Sequence, residues 1–222
     1  MRCGTDRNFT SALHEDRPYV KFHYRSALYS TGSLPVLMGG ASRLLELVVP
    51  SSSLQRHLIE IDAQPSKGPL PLPLKDLKTV SPLITDIDIS LDDRFLYVSL
   101  WGLGELRQYD ITNPHQPRLA GRVKIGGILH REPHPSGAEA TGAPQMITVS
   151  RDGRRVYVTN SLYSNWDNQF YPGLRSWMAK INVNPEGGVE LNKSFFVDFS
   201  RARAHQVRLW GGDASTDSFC FP

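Results

Sequence analysis

From residue 81 onward, apolar and polar positions alternate in short runs, and the pattern repeats. The run Ile87-Asp88-Ile89-Ser90-Leu91-Asp92-Asp93-Arg94-Phe95-Leu96-Tyr97-Val98-Ser99 aligns, at an offset of 60, with Ile147-Thr148-Val149-Ser150-Arg151-Asp152-Gly153-Arg154-Arg155-Val156-Tyr157-Val158-Thr159. Six of the thirteen positions are identical, and four more are Ile/Val, Leu/Val, Ser/Thr or Asp/Gly exchanges. Alternation over so few residues predicts strands. Each copy reads as a strand, a Ser-x-Asp-[Asp/Gly]-Arg turn and a second strand, with Asp-Asp and Asp-Gly supplying the chemistry of a tight hairpin. A third strand is predicted at residues 105–111 and 177–183, each followed by an Asn-Pro turn, and a fourth at 118–123 and 194–199. Four antiparallel strands per unit at this spacing predict an all-β chain built of β-propeller blades, about three of them here. The competing reading is two unrelated hairpins that share a turn.

The first 63 residues lack this regularity. Leu44-Leu45-Glu46-Leu47-Val48-Val49 reads equally as a short helix or a buried strand, since periodicity over six residues does not separate the two. Residues 64–76 are rich in proline, which removes backbone donors and fixes φ, so they read as an extended connector. The chain thus divides into a poorly patterned segment (1–63), the connector (64–76) and the repeated strands (77–222).

Composition narrows the function classes. With 25 Lys plus Arg against 22 Asp plus Glu, the net charge is +3, too balanced for a phosphate-backbone or anionic-membrane partner. No apolar run approaches the ~20 residues of a membrane helix, and the first residues lack the basic-then-apolar order of a signal peptide. A cytoplasmic location is expected. Two cysteines, Cys3 and Cys220, exclude a disulfide scaffold or an all-cysteine metal site.

The candidate chemistry lies with histidines. His130 and His134 sit in a Gly/Pro-rich stretch ahead of the strand at 146–150, placed to form a lid over one mouth of a propeller channel. Their spacing of four suits a metal only on a helix, which Pro133 and Pro135 forbid; the alternative is a pair of solvated loop histidines. His205, in Arg203-Ala204-His205-Gln206-Val207, follows the last strand of the second unit and is expected to begin the innermost strand of a third. There a neutral imidazole can bind a metal such as copper, against the alternative of a satisfied structural histidine. Trp166-Asp167-Asn168-Gln169-Phe170-Tyr171-Pro172 falls in an insertion that makes the second unit longer than the first. It reads as an aromatic-packed loop, or as a wall for a small apolar substrate.

Residues 77–217 resemble the C-terminal part of the selenium-binding protein family, which includes methanethiol oxidase. The resemblance rests on Leu83-Ile84-Thr85-Asp86-Ile87, Ser90-Leu91-Asp92-Asp93-Arg94-Phe95-Leu96-Tyr97, Leu106-Arg107-Gln108-Tyr109-Asp110-Ile111 and Pro144-Gln145-Met146. It continues through Ser161-Leu162-Tyr163-Ser164, Trp166-Asp167, Gln169-Phe170-Tyr171-Pro172, Ala204-His205 and Gly211-Gly212-Asp213. It implies a seven-bladed propeller about twice this length, of which this chain would supply about three blades, and copper-dependent conversion of methanethiol, oxygen and water to formaldehyde, hydrogen sulfide and hydrogen peroxide, by this chain as such an enzyme or as a fragment of one. Of the family's histidines it carries over His205 as catalytic residue and copper ligand, with His130 and His134 as local candidates for further ligands. The family's cysteine-containing selenium motif has no counterpart here, and Leu103 stands near a point where animal members carry histidine. The family also admits the periplasm as a location. Two functions follow: a methanethiol oxidase-like copper enzyme acting on a small thiol and oxygen, or a non-catalytic selenium-binding propeller module that engages partners. Open propeller edges imply self-association.

Overall fold

A computed structural model of the chain describes residues 21–25, 42–47, 55–66, 78–126, 133–138, 140–161, 164–206 and 213. The described elements are overwhelmingly antiparallel strands. In the N-terminal segment, β1 (Lys21–Arg25), β2 (Ser42–Leu47) and β3 (Gln55–Ile61) pair in that order. Residues 44–47 of the ambiguous run at 44–49 are therefore strand, and 48–49 lie outside the described residues. A two-residue pair, β4 (Gln64–Pro65) with β5 (Thr79–Val80), brackets the proline-rich stretch.

Two four-stranded meanders follow. The first is β6 (Ile84–Ile89), β7 (Phe95–Leu100), β8 (Glu105–Asp110) and β9 (Arg118–Lys124). The second is β10 (Met146–Val149), β11 (Arg155–Thr159), β12 (Ser176–Val183) and β13 (Val189–Ser200). In both, neighbours in sequence are neighbours in the sheet, the arrangement expected from the repeat.

Burial on both faces accounts for the near-continuous apolar run of β7. Leu96, Val98 and Leu100 pack with Ile59, Ile61 and Val80 on one side. Phe95 and Tyr97 point the other way, into a core shared with Ile147, Val149, Val156, Val158 and Trp177 of the second meander. The first meander is thus sandwiched, and its central strand needs no polar face. Each fully buried aliphatic or aromatic side chain here contributes about 1.5–3 kcal/mol.

The repeated turn has one construction in both copies. Ser90 Oγ–H donates to Asp92 Oδ1 (2.5 Å), Arg94 N–H donates to the same oxygen (3.2 Å), and Phe95 N–H donates to Ser90 Oγ (2.9 Å). In the second copy Ser150, Asp152, Arg154 and Arg155 repeat these bonds at 2.6, 3.0 and 3.0 Å. Asp93 and Gly153 both take left-handed backbone, φ 57° and 69°, a region that glycine enters freely and Asp or Asn tolerate. That is why these two residues exchange between the copies.

Side chains tie the meanders together where backbone pairing does not. Ile147 N–H donates to Asp86 Oδ2 (2.9 Å) and Val149 N–H to Asp88 Oδ2 (3.1 Å), so β6 carboxylates serve the amides of β10. Farther out, Gln108, fully buried, accepts from Gly188 N–H (2.8 Å) and donates to the Tyr97 hydroxyl (3.3 Å).

The segment expected to be an aromatic loop is instead a helix, α1 (Ser164–Phe170). It stops before Pro172, since the residue preceding a proline is pushed out of helical backbone. No helix is long and apolar enough to cross a membrane among the described residues.

Candidate functional site

Connections gather at the end of the meanders from which β6 and β10 start. Between β7 and β8 only residues 101–104 intervene, and they are clamped to the entry of β6: Trp101 N–H donates to Leu83 O and Gly102 N–H to Pro82 O, both 2.9 Å. A Cβ on Gly102 would lie 1.9 Å from Ser81 O, so only glycine fits this approach. The equivalent connection in the second meander runs through 160–175, twelve residues more, and contains α1.

The two connections meet. Trp101 packs with Leu83 and Ala143, and the Tyr171 ring stands edge-on to its indole with centroids 5.5 Å apart. Burial first, then the negative charge of Asp167, pushes the Tyr171 phenol up to about 12, so it stays protonated. Two polar atoms in these segments are buried without a partner, the Trp101 indole N–H and Gln145 Oε1. An unpartnered buried group costs about 1–3 kcal/mol, and such groups commonly meet water or a ligand.

His205 lies in this neighbourhood, half-buried. Its Nδ1 is 2.9 Å from the Ser161 carbonyl. A carbonyl only accepts, so Nδ1 carries a proton in this orientation. The residue's own carbonyl accepts from Thr159 Oγ1 (2.9 Å), and the preceding Ala204 N–H donates to buried Ser176 Oγ (3.0 Å). Arg203 donates to Asn168 Oδ1 on α1 (3.2 and 3.0 Å) and to the Leu174 carbonyl. Farther along, Asp213 accepts from Arg155 (2.9 Å) and the Tyr157 hydroxyl (3.0 Å), while its carbonyl accepts from Arg151 N–H (2.7 Å). Both ends of the Ala-His to Gly-Gly-Asp stretch are therefore anchored on the second meander. His205 does not begin a strand as expected: residues 201–206 are not strand, and 207–212 lie outside the described residues.

His134 is buried, only 2% exposed, and so is not a solvated loop residue. Its ring lies 4.6 Å from that of Phe196 on the outer strand β13. Ser136 N–H donates to Nδ1 (3.1 Å), which puts the proton on Nε2, an N–H buried without an acceptor. Burial pushes its pKa below the ordinary histidine range. With Nδ1 already an acceptor and Nε2 protonated, neither nitrogen offers a lone pair to a metal in this orientation. His130, Cys3 and Cys220 lie outside the described residues.

Of the donors that a copper site would need, the described residues offer the His205 imidazole, whose Nδ1 is held by a hydrogen-bond acceptor as is common for metal-ligating histidines. Among the described residues no three His, Cys, Asp or Glu side chains converge on a metal position. The residues that sequence reasoning missed are Ser161, Ser176 and Asn168, whose roles depend on a carbonyl, a hydroxyl and an amide meeting a segment some 30 to 45 positions away.

The family described as 56kDa selenium binding protein matches residues 50–220. Over 161 residues the chain is 48% identical to a methanethiol oxidase of Xenopus tropicalis and 47% identical to that of Homo sapiens, covering 61% of this chain and 34% of each relative. The chain therefore spans about a third of the length of these curated relatives. Among solved structures, a hypothetical selenium-binding protein from Sulfolobus tokodaii superposes with a TM-score of 0.80 at 52% identity, covering 100% of this chain and 48% of that one.

Proposed function

We propose, from the premise that this chain belongs to the 56kDa selenium-binding protein family, that it contributes to copper-dependent oxidation of a small thiol. The curated relatives carry the name methanethiol oxidase, and methanethiol is the proposed substrate. The balanced reaction takes methanethiol, oxygen and water to formaldehyde, hydrogen sulfide and hydrogen peroxide. The two meanders are proposed as two blades of a β-propeller, with β6 and β10 innermost and His205 at the channel mouth. The observation that carries this reading is the state of His205. Its Nδ1–H is held by the Ser161 carbonyl, the kind of hydrogen bond that commonly orients a metal-ligating histidine.

Copper, when bound, would supply the one-electron chemistry that passes electrons from the thiol to oxygen. The chain's own contribution is orientation and exclusion of water. Arg203, Ala204 and Thr159 hold the His205 backbone, while Trp101, Tyr171, Leu83 and Ala143 form a dry wall suited to a methyl group. The orphaned Trp101 N–H and Gln145 Oε1 are a donor and an acceptor for small polar species. His130 is a proposed further ligand. His134 would join only by turning its ring over and giving up the Ser136 N–H.

The absence of a converging donor triad among the described residues favours a second reading, a non-catalytic selenium-binding module that engages partners. Peroxide and hydrogen sulfide release from methanethiol by copper-loaded protein distinguishes the two. The enzyme reading expects release by the wild type and at least a tenfold loss in His205→Ala. No release by a copper-loaded, folded wild type, or equal rates in the two proteins, would favour the binding module.

A further inference from the structure

We infer that Asp167 is a positioning residue for His205, acting through Ser161. Asp167, on α1, is 1% exposed, and Ser161 Oγ–H donates to its Oδ2 at 2.8 Å. Ser161 is fully buried, and its carbonyl receives Nδ1–H of His205 at 2.9 Å. One residue thus links a buried carboxylate to the imidazole: its hydroxyl is held by Asp167, and its carbonyl is thereby aimed at Nδ1. The next residue of α1, Asn168, accepts from Arg203, two positions before His205. The flanks of α1 supply the Leu174 carbonyl and Ser176 Oγ to the same stretch.

All of these partners except Ser176 belong to the connection that is twelve residues longer in the second meander than in the first. The insertion is a cradle for His205. A histidine side chain free in water favours the tautomer with the proton on Nε2. The cradle selects the tautomer with the proton on Nδ1. The buried accepting oxygen of Asp167 at the far end of the chain of bonds fixes the Ser161 hydroxyl and stiffens the link. The inference deepens the copper reading and rests on it for its purpose, yet its direct readout needs no copper.

The test is the imidazole ¹⁵N spectrum of metal-free protein carrying labelled histidine, with His205 assigned by His205→Gln. Wild type should show the Nδ1–H pattern. Asp167→Asn, whose amide oxygen still accepts from Ser161 Oγ–H, should keep it. Ser161→Ala and Asp167→Ala should move the His205 shifts toward the Nε2–H form. Copper affinity should fall about tenfold in the two alanine variants, the lower end for loss of an outer-shell partner, and stay near wild type in Asp167→Asn. If Asp167→Ala fails to fold by thermal melting, Ser161→Ala and Asp167→Asn carry the comparison. A wild-type His205 pattern in folded Ser161→Ala would overturn the inference. Shifts that move as stated, with copper binding indifferent to His205, would leave the positioning role standing and remove the copper reading instead.

Discussion

At the residue scale, Asp92 and Asp152 illustrate what a repeated position means. Burial alone would raise the Asp152 carboxyl. The Ser150 hydroxyl, the Arg154 N–H and nearby Arg155 outweigh that and hold it below the usual carboxylate range. The group is largely solvated, so screening limits its worth, and Asp152→Ala should cost about 1 kcal/mol in urea unfolding while leaving the proposed thiol oxidation unchanged. Gly153→Ala isolates the backbone: open space surrounds the new methyl, so the expected loss of about 1 kcal/mol comes from the left-handed φ alone. Asp93→Gly in the first copy should be neutral or stabilising by the same argument. His134 sets a pH dependence. Its folded pKa lies below the ordinary 6.5, so as pH falls through that value the unfolded chain takes up a proton first and stability declines. Melting temperatures between pH 7 and 5 should drop less for His134→Phe than for wild type; parallel slopes would show that His134 does not titrate this way.

At the scale of elements, the strands of both meanders and their turns were legible because each is a local pattern. Alternation, Ser-x-Asp turns and Asn-Pro breaks lie within a few residues of what they determine. The N-terminal strands were less legible, since a six-residue run such as 44–49 carries no decisive period and β2 is defined by its partners. Helix α1 was missed because Asn and Trp are poor helix formers and its reason for existing is tertiary, the grip of Asp167 on Ser161 and of Asn168 on Arg203. His205 could be singled out from sequence, but its tautomer could not, because the carbonyl that sets it comes from 44 residues away. Asp86 and Asp88 read as ordinary strand residues, yet their carboxylates link β6 to β10. Asp86→Ala removes a buried charged acceptor and should destabilise by about 1.5–3 kcal/mol, whereas Asp86→Asn should recover much of this. Equal losses in the two variants would show that the link does not depend on the accepting oxygen.

At the scale of the whole molecule, the far face of the second meander bears on association. Tyr157 and Met178 lie there beside half-buried Phe195, Val197 and Phe199. In the propeller reading such a face is covered by a neighbouring sheet, and proposed self-association would use the same surface. Sedimentation at increasing concentration should show oligomers that Val197→Lys weakens; an unchanged monomer throughout would argue against that contact. The central claim concerns His205, and copper occupancy measures it most directly. Wild type and His205→Ala should be loaded with copper in parallel, dialysed, and analysed for metal, with circular dichroism confirming equal folding. The account predicts retained copper in the wild type and a loss of most of it in the variant. Equal copper in two equally folded proteins would contradict it and leave His205 a packed structural histidine.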